Sequence, residues 1–317
     1  MKIVIPGGSG QIGALLARHF QQHGHEVVVL SRSPESAPWR VVPWDARTLG
    51  PWQAELDDAD VVINLAGRSV NCRYHAANRK AMLDSRVEST RVVGDAIARS
   101  ARPPRVWLQA STATIYAHRF DAPNDEAKGI IGGNEPNAPD TWRSSIVVAT
   151  AWEKALAESI TPDTRKVALR SAMTMSPDRG GIFDVLLGLV RRRLGGRAGD
   201  GRQYVSWIHD RDFIRAVDWL IEREDLCGAV NVCSPNPLPN VEFMATLRAA
   251  WGVRLGLPSS RWMLELGAWF LRTETELMLK SRRVVPWRLL DSGFSFEFPS
   301  WPKAACDLCR RWNAGSS

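Results

Sequence analysis

The first chemistry visible in the sequence lies within thirteen residues, where glycine recurs at every third position. The motif Gly-x-x-Gly-x-x-Gly follows a short β-favouring run at residues 2–5 and precedes apolar residues at helical spacing. Such a turn lets the backbone approach a pyrophosphate, and the N-terminus of the following helix supplies amide donors and partial positive charge. The pattern predicts a dinucleotide site at the following residues: Gly7, Ser9, Gly10, Gln11, Ile12 and Gly13.

The residues after the second apolar run indicate which dinucleotide would bind. A site that prefers NAD usually carries Asp or Glu about 20 residues beyond the glycines, where it binds the ribose 2′-hydroxyl. The run at residues 27–30 is instead followed by Ser31 and Arg32, and Glu26 lies at its other end. A guanidinium suits a 2′-phosphate because it donates two parallel hydrogen bonds. The sequence therefore predicts NADP(H); the alternative is that Arg32 is merely exposed.

These residues need a sheet to position them. Further apolar runs occur at residues 60–65, 106–108 and 167–169, and segments with helical patterns lie between them, at 80–100 and 145–160. Alternating strands and helices predict an α/β fold with a Rossmann doubly wound parallel sheet. We expect an NADP-binding domain over residues 1–170, its last strands completed by 200–235. A smaller C-terminal α/β substrate domain would occupy residues 171–317.

Composition and charge exclude several other classes of protein. The chain has 317 residues and a net charge of +7, and it lacks the run of about 18 apolar residues that a membrane helix needs. Its five cysteines argue against a disulfide framework and for a cytoplasmic location. Cys306 and Cys309 have the spacing of zinc ligands, but the sequence holds no second such pair and no histidine after His209, so we expect no metal. The arginines are spread along the chain, so we expect a small-molecule substrate and neither nucleic acid nor membrane as a partner. The oligomeric state is left between a monomer and a homodimer.

The glycine loop is followed along the chain by these further motifs: Trp44-Asp45, Asn64 to Gly67, Ser85 to Val87, Ser111 to Tyr116, Trp152-Glu153, Gly199 to Gln203, Ser206 to His209 and Ser281 to Pro286. In this order the motifs resemble the extended short-chain dehydrogenase/reductase superfamily, and the resemblance covers nearly the whole chain. The closer resemblance is to its sugar-nucleotide-epimerase-like subfamily, whose C-terminal segment is a domain of unknown function. It implies that Asp45 lies near the adenine and that Ala66 and Gly67 line the dinucleotide with their backbone. Pro6 stands where the family usually has Thr.

The resemblance also implies a catalytic hydroxyl, at Ser111 or Thr112, beside the nicotinamide. Superfamily members normally add a Tyr-x-x-x-Lys pair on one helix, where the ammonium makes the phenol a stronger acid. No tyrosine of this chain is followed by lysine four residues later. In the equivalent helix Thr150 would replace the tyrosine, and Lys154 would remain to bind the ribose. Tyr116 is the nearby phenol that could supply the acid, or it could pack at the end of its strand.

Several polar residues are candidates for binding the substrate. Arg202 and Gln203 in the glycine-rich loop, together with Arg73, could bind an anionic or hydroxyl-rich substrate or could be structural. Trp207 and His209 follow in a segment that borders the substrate pocket in the resembled family; the alternative for His209 is a buried, hydrogen-bonded histidine. The predicted function is an NADP(H)-dependent, epimerase/dehydratase-like oxidoreductase with an altered acid/base centre, acting on a carbonyl or sugar-nucleotide-like substrate. The alternative is a catalytically silent NADPH-binding sensor or scaffold.

Overall fold

An open parallel sheet lies at the centre of this computed structural model, which describes residues 1–136, 138–260 and 276–315. Its described strands are, in chain order, β1 (Lys2–Pro6), β2 (Glu26–Ser31), β3 (Arg40–Pro43), β4 (Val61–Asn64), β5 (Val106–Thr112), β6 (Arg165–Ser171), β7 (Met173–Met175), β8 (Tyr204–Val205), β9 (Trp207–His209), β10 (Gly228–Val232) and β11 (Leu238–Pro239). Seven of them pair in parallel in the order β3-β2-β1-β4-β5-β6-β10. The order reverses between β1 and β4, as in a doubly wound Rossmann sheet. The predicted fold class is therefore confirmed.

Helices cover both faces of the sheet. Those described are α1 (Gln11–Gln22), α2 (Ala76–Arg99), α3 (Asp140–Glu158), α4 (Ile182–Arg191), α5 (Asp210–Glu222), α6 (Asn240–Trp251), α7 (Glu276–Leu279), α8 (Trp287–Asp291) and α9 (Trp301–Ala314), with 3₁₀ turns at Pro51–Leu56 and Ala113–Ile115. Side chains of α1 and α5, such as Leu16 and Phe213, share one apolar cluster with the strands. Val93 of α2 and Leu156 of α3 belong to the cluster on the opposite face. Two covered faces explain why the strands are apolar without alternation.

A third apolar cluster lies beyond the sheet and joins helices from the second half of the chain. Its centre is built by Phe183 of α4, Phe243 of α6 and Trp301 of α9. The rings of Phe243 and Trp301 stack with their centroids 4.1 Å apart. Two small sheets, β7 with β9 and β8 with β11, belong to the same half, whereas β10 joins the central sheet beside β6. The domain boundary at residue 170 stays a prediction.

The segment at residues 280–285 returns to the edge of the sheet where β5 ends. The backbone of Asn124 pairs with this segment through bonds of 2.7 Å to Arg283 and 2.9 Å to Val285. The hydroxyl of Ser206 donates to the Arg282 carbonyl over 2.6 Å, and the Lys280 ammonium donates to the Thr114 carbonyl over 2.7 Å. A late part of the chain thereby becomes a wall of the site described next. Among the described helices, none has both the length and the apolar character needed to traverse a bilayer.

Candidate functional site

The three glycines of the first turn are required for three different geometric reasons. Gly7 has a φ of +73°, and a Cβ there would lie 2.5 Å from Cα of Ala66. A Cβ on Gly13 would overlap the backbone of Gly8, so the third glycine permits α1 to pack against the turn. Gly10 is the N-cap of α1, and apart from its neighbours in the chain no atom of the described residues lies within 4 Å of the position of its missing Cβ. The N-terminus of α1 therefore faces open space, as a pyrophosphate site requires.

Gln11 supplies a second sign that a polar ligand belongs at this turn. Its side-chain Nε2 is buried and has no hydrogen-bond partner among the described residues. The amide lies against Gly181, the N-cap of α4, at a position that a Cβ on this glycine would occupy. Of the other predicted residues, Ser9 is exposed and Ile12 is partly buried against the core. A buried donor without an acceptor, beside an open helix N-terminus, fits the oxygen atoms of a phosphate.

Of the predicted cofactor residues at the ends of β2 and β3, Arg32 can contact a ligand, whereas Ser31 and Asp45 are hydrogen-bonded within the protein. Ser31 is buried, and its hydroxyl donates to the Ser33 carbonyl over 3.0 Å. Arg32 is exposed and has no ion pair or hydrogen bond within the described part of the chain, so its guanidinium is available to a ligand. The carboxylate of Asp45 accepts hydrogen bonds from the hydroxyl and amide of Thr48 and from the Arg47 amide, and these bonds lower its pKa to about 2. Asp45 thus holds the turn after β3, and its contact with adenine stays a prediction.

The end of β4 brings the backbone at Ala66 and Gly67 to the same edge of the sheet. The buried Asn64 side chain accepts from the Ala66 amide over 3.0 Å and donates to Gln109 over 3.0 Å, which fixes the chain as it leaves the strand. Gly67 is exposed, and a Cβ there would lie 3.2 Å from Cζ of Arg86. The predicted backbone wall is therefore placed beside a cationic side chain of α2.

A cavity with a volume of 330 Å³ opens where β5 ends. Its described lining comes from β5, β6, α2, α3 and the C-terminal segment: Val70, Tyr74, Met82, Arg86, Ser111, Thr112, Ala113, Thr114, Ser144, Ser145, Val148, Ala149, Trp152, Ser171, Ala172, Met173, Glu276 and Arg282. Both hydroxyls predicted to be catalytic, Ser111 and Thr112, belong to this lining. The cavity therefore collects hydroxyl groups, one carboxylate and two guanidinium groups at the carboxyl edge of the sheet.

Ser111 is held by a carboxylate that lies behind the cavity wall. Its hydroxyl donates to Oε1 of Glu153 over 2.6 Å. The guanidinium of Arg170 donates to both oxygens of the same carboxylate, each over 2.8 Å. A serine hydroxyl has one proton, and here the carboxylate accepts it. Ser111 therefore presents lone pairs, and not a hydrogen-bond donor, to the interior of the cavity.

Tyr116 is placed outside the cavity lining, in contrast to the role considered for it as an acid. Its side chain is 2% exposed, and its hydroxyl donates to Asn231 over 2.9 Å and accepts from Arg170 over 2.8 Å. Burial raises the pKa of this phenol. The hydroxyl is thus occupied in holding Arg170, and the structure favours the packing alternative at the end of the strand.

Thr150 and Lys154 lie on the outer face of α3, which corrects the register assumed for the missing Tyr-x-x-x-Lys pair. Both are exposed, and the Lys154 ammonium lies 3.6 Å from the carboxylate of Glu158 on the same helix. The described positions of α3 that do line the cavity are Ser144, Ser145, Val148, Ala149 and Trp152. None of them is an acid, a histidine, a lysine or a tyrosine, so within the described residues α3 directs no tyrosine or lysine into the cavity.

The residues predicted to bind substrate also lie outside the described cavity lining. Trp207 and His209 are completely buried: Trp207 packs on Trp301, and the His209 ring stacks on Phe298 with centroids 3.8 Å apart. The buried alternative for His209 is therefore the one observed. Gln203 is 3% exposed and donates to the carbonyls of Ala198 and Met278 over 2.9 and 3.0 Å. Arg202 is exposed, with its guanidinium 5.9 Å from the Phe120 ring, and Arg73 is half-buried. Substrate contact by these two arginines stays a prediction.

Sequence reasoning missed the polar residues that do line or support the cavity. They include Tyr74, Arg86, Ser144, Ser145, Glu153, Arg170, Glu276 and Arg282. Three of them stand within motifs that carried the family resemblance, namely Ser85 to Val87, Trp152-Glu153 and Ser281 to Pro286. The presence of a charged residue inside such a motif was the sequence signal that could have identified Arg86, Glu153 and Arg282 as site residues. Within the described residues, no group of three or more His, Cys, Asp or Glu side chains is placed to hold a metal ion.

Comparison with known proteins agrees with this geometry. Residues 3–139 match the NAD dependent epimerase/dehydratase family, and residues 260–308 match a domain of unknown function, DUF1731. Epimerase family protein SDR39U1 of Homo sapiens is 30% identical over 302 residues, which cover 94% of this chain and 96% of the human protein.

Solved structures give the same result. The crystal structure of human SDR39U1 (isoform 2) with NADPH has a TM-score of 0.84 and 29% identity to this chain, covering 98% of this chain and 99% of that one. The nucleoside-diphosphate sugar epimerase from Corynebacterium glutamicum has a TM-score of 0.75 and 27% identity, covering 98% of this chain and 58% of that one. The fold and the matched regions define an epimerase/dehydratase-like protein of the short-chain dehydrogenase/reductase class. More narrowly, this chain belongs to the epimerase family that includes SDR39U1.

Proposed function

We propose that this chain binds NADP(H) and acts as an epimerase/dehydratase-like oxidoreductase on a small carbonyl or alcohol substrate. The observation that carries the proposal is the open N-terminus of α1 at Gly10, with the unpartnered Nε2 of Gln11 beside it. Gly7, Gly10 and Gln11 would hold the pyrophosphate, and Arg32 would bind the 2′-phosphate. The bound nicotinamide would supply or accept a hydride. The NADPH in the related human structure supports this choice of cofactor.

Ser111 and Glu153 are proposed to move the proton that accompanies this chemistry. Because Ser111 offers lone pairs to the cavity, a substrate alcohol can donate its hydrogen bond to Ser111 Oγ. During oxidation the alcohol proton would pass to Ser111, and the proton of Ser111 would pass to Glu153. Reduction would use the same path in reverse. The bidentate contact with Arg170 keeps the Glu153 carboxylate aimed at Ser111.

Two measurements on the purified protein test the function. Titration followed by nicotinamide fluorescence should show saturable binding of NADPH, tighter than that of NADH. NADPH oxidation across a panel of carbonyl compounds and nucleotide sugars should then identify at least one substrate. Absence of dinucleotide binding would overturn the proposal.

A sensor or scaffold is the second candidate, and one observation favours it. The described cavity-lining positions of α3, which are Ser144, Ser145, Val148, Ala149 and Trp152, carry no carboxylate, imidazole, amine or phenol. Intact NADPH binding with no turnover on any member of the panel would select this candidate over the enzyme. The cytoplasmic location, the partners and the oligomeric state stay predictions.

A further inference from the structure

Arg86 is a cation that lines the cavity and has no ionic partner among the described residues. One terminal nitrogen of its guanidinium donates to the main-chain carbonyls of Arg68 and Met82, over 3.0 and 3.1 Å. No carboxylate of the described residues lies within ion-pair distance of it. Burying a charge is costly unless an opposite charge or a full set of hydrogen bonds compensates it. The remaining donors of this guanidinium therefore favour an anionic ligand.

The surroundings of Arg86 keep its guanidinium in a fixed place. Its Cζ lies 4.9 Å from the centroid of the Trp152 ring, in a cation–π contact, and the Gly67 backbone lies on another side. Burial lowers the pKa of Arg86 to about 10, so it remains charged at neutral pH. A planar, fixed guanidinium suits an acid group that accepts two parallel hydrogen bonds.

The charges around the cavity indicate how many negative charges the ligand should carry. The charged groups of its described lining are Arg86, Arg282 and Glu276. Burial and the nearby Glu276 raise the pKa of Tyr74 to about 12, which keeps that phenol neutral. The described lining thus has a surplus of one positive charge. A monoanion such as a carboxylate balances this surplus, whereas a phosphate dianion exceeds it and faces Glu276.

The uncharged part of the lining indicates the remainder of the ligand. Thr112, Thr114, Ser144 and Ser145, which all carry hydroxyl groups, line the same cavity of 330 Å³. We propose that the substrate is a small hydroxylated acid whose carboxylate binds Arg86, with its reacting alcohol or carbonyl carbon at Ser111. That the acid is a substrate rests on the proposed function. Binding of the acid does not, because it can be measured without turnover.

The test uses D-glucuronate as a hydroxylated acid, with D-glucuronamide as its neutral counterpart and inorganic phosphate as the dianion. Calorimetric titrations are made on the whole 317-residue chain with and without NADPH. Since Arg86 would donate charge-assisted hydrogen bonds to the carboxylate, we expect Arg86→Gln to weaken glucuronate binding by roughly tenfold or more. Arg86→Lys should show an intermediate loss. The matched control is Arg91→Gln, an exposed arginine of the same helix, which should bind like the wild type.

The ligand comparison remains decisive even where Arg86→Gln does not fold, because it uses the wild-type protein. Glucuronate should bind measurably and glucuronamide should not. Equal binding of the two, or binding of neither, overturns the proposal. Tighter binding of phosphate overturns the assignment of a carboxylate. If Arg86→Gln weakens NADPH and leaves glucuronate unchanged, Arg86 serves the cofactor and the proposal fails. If the wild-type protein does not bind NADPH, that result contradicts the proposed function instead.

Discussion

The carboxylate of Glu153 occupies a position from which it controls the state of the Ser111 hydroxyl. It accepts a hydrogen bond from the Ser111 hydroxyl over 2.6 Å and is held by Arg170 through two hydrogen bonds of 2.8 Å. Arg170 in turn is bound by the buried Tyr116 hydroxyl. One of the three tyrosines of the chain thus supports the proposed proton path from outside the cavity and does not enter it.

Glu153→Gln is predicted to lower turnover without affecting the cofactor. The amide can still accept a hydrogen bond from Ser111, but it cannot take up a proton at neutral pH. Because proton transfer by a positioned side chain contributes about 10²- to 10⁴-fold, we expect kcat to fall by roughly 10²-fold or more on the best substrate of the panel. NADPH affinity by fluorescence should be unchanged.

Glu158→Gln provides the control for this variant. Glu158 lies on the same helix, and its exposed carboxylate pairs with Lys154 on the outer face. A turnover equal to that of the wild type is expected. If Glu153→Gln retained full kcat with a folded protein, Glu153 would have no part in proton transfer. Thermal unfolding of both variants checks the fold, since Glu153→Gln also breaks a partly buried ion pair.

Arg32→Asp is predicted to reverse the cofactor preference. The exposed guanidinium has no ionic partner among the described residues, so its removal leaves the protein intact. An aspartate would repel a 2′-phosphate and could accept from a 2′-hydroxyl. We expect NADPH affinity to fall by about tenfold or more while NADH affinity stays or rises. An equal loss for both dinucleotides, measured by fluorescence titration, would show that Arg32 does not meet the 2′-phosphate.

At the scale of elements, periodicity predicted the positions of the strands and helices well. It did not predict which side of α3 faces the cavity. The run at residues 27–30 and the turn after β1 carry local signals, so the Rossmann half could be derived from them. A spacing of four residues places two side chains on one face of α3 but does not say which face meets the cavity. Thr150 with Lys154 and Val148 with Trp152 satisfy the spacing equally, and in the folded protein the second pair lines the cavity whereas the first is exposed.

Contacts between distant segments were beyond local pattern altogether. Arg282 donates to the Thr114 hydroxyl over 3.0 Å although 168 residues separate them. Ser145 of α3 donates to the carboxylate of Glu276 across 131 residues. Periodicity and spacing in one sequence cannot predict such long-range contacts, because they depend on the tertiary path of the chain. The cofactor turn is contiguous and was predictable, whereas the cavity is discontinuous and was not.

Alanine substitutions at two glycines of the first turn are predicted to separate cofactor binding from folding. Gly13→Ala forces a Cβ into the backbone of Gly8, so we expect a loss of stability of about 1 to 3 kcal/mol by overpacking. Gly10→Ala meets no protein atom, so thermal unfolding should hardly change, while NADPH affinity should fall because the methyl group occupies the pyrophosphate site. Normal NADPH binding by Gly10→Ala would contradict a pyrophosphate at the N-terminus of α1.

At the scale of the whole molecule, a buried polar cluster ties α5 to the C-terminal helix α9. Neutral His209 accepts at Nδ1 from the Arg211 amide over 3.2 Å, and its Nε2 lies 3.2 Å from Asp307 of α9. Arg311 of α9 donates to both oxygens of Asp210, over 2.8 and 2.7 Å. His209 is therefore a structural residue that joins segments about a hundred positions apart.

This cluster predicts a loss of stability in mild acid. Burial lowers the pKa of His209 despite the neighbouring carboxylates of Asp210 and Asp307. The unfolded chain binds a proton below its ordinary pKa of about 6.5, while the folded protein keeps the imidazole neutral. The free energy of unfolding should therefore fall as the pH is lowered from about 7 to 5 through that unfolded-state pKa.

Chemical denaturation of His209→Gln against pH measures this contribution. At pH 7 the variant should be less stable by about 1 to 2 kcal/mol, since it loses a helix cap and a buried hydrogen bond. Its deficit should shrink toward pH 5, because the wild type alone then loses the stability of the neutral imidazole. His23→Gln, at an exposed histidine, should follow the wild type throughout. A deficit that stays constant with pH would exclude His209 as the titrating group.

The 166 to 168 residues between Thr114 and its partners, Lys280 and Arg282, also have a consequence for synthesis. A ribosome that adds about 5 to 20 residues each second needs roughly 8 to 34 seconds to pass from one to the other. During that interval the nascent chain can pair β1 through β5, but the pocket at the end of β5 has no wall from the C-terminal segment. The hydroxyl-lined edge of the sheet is then accessible to chaperones, and the chain closes it only after residues 280–282 have been synthesised.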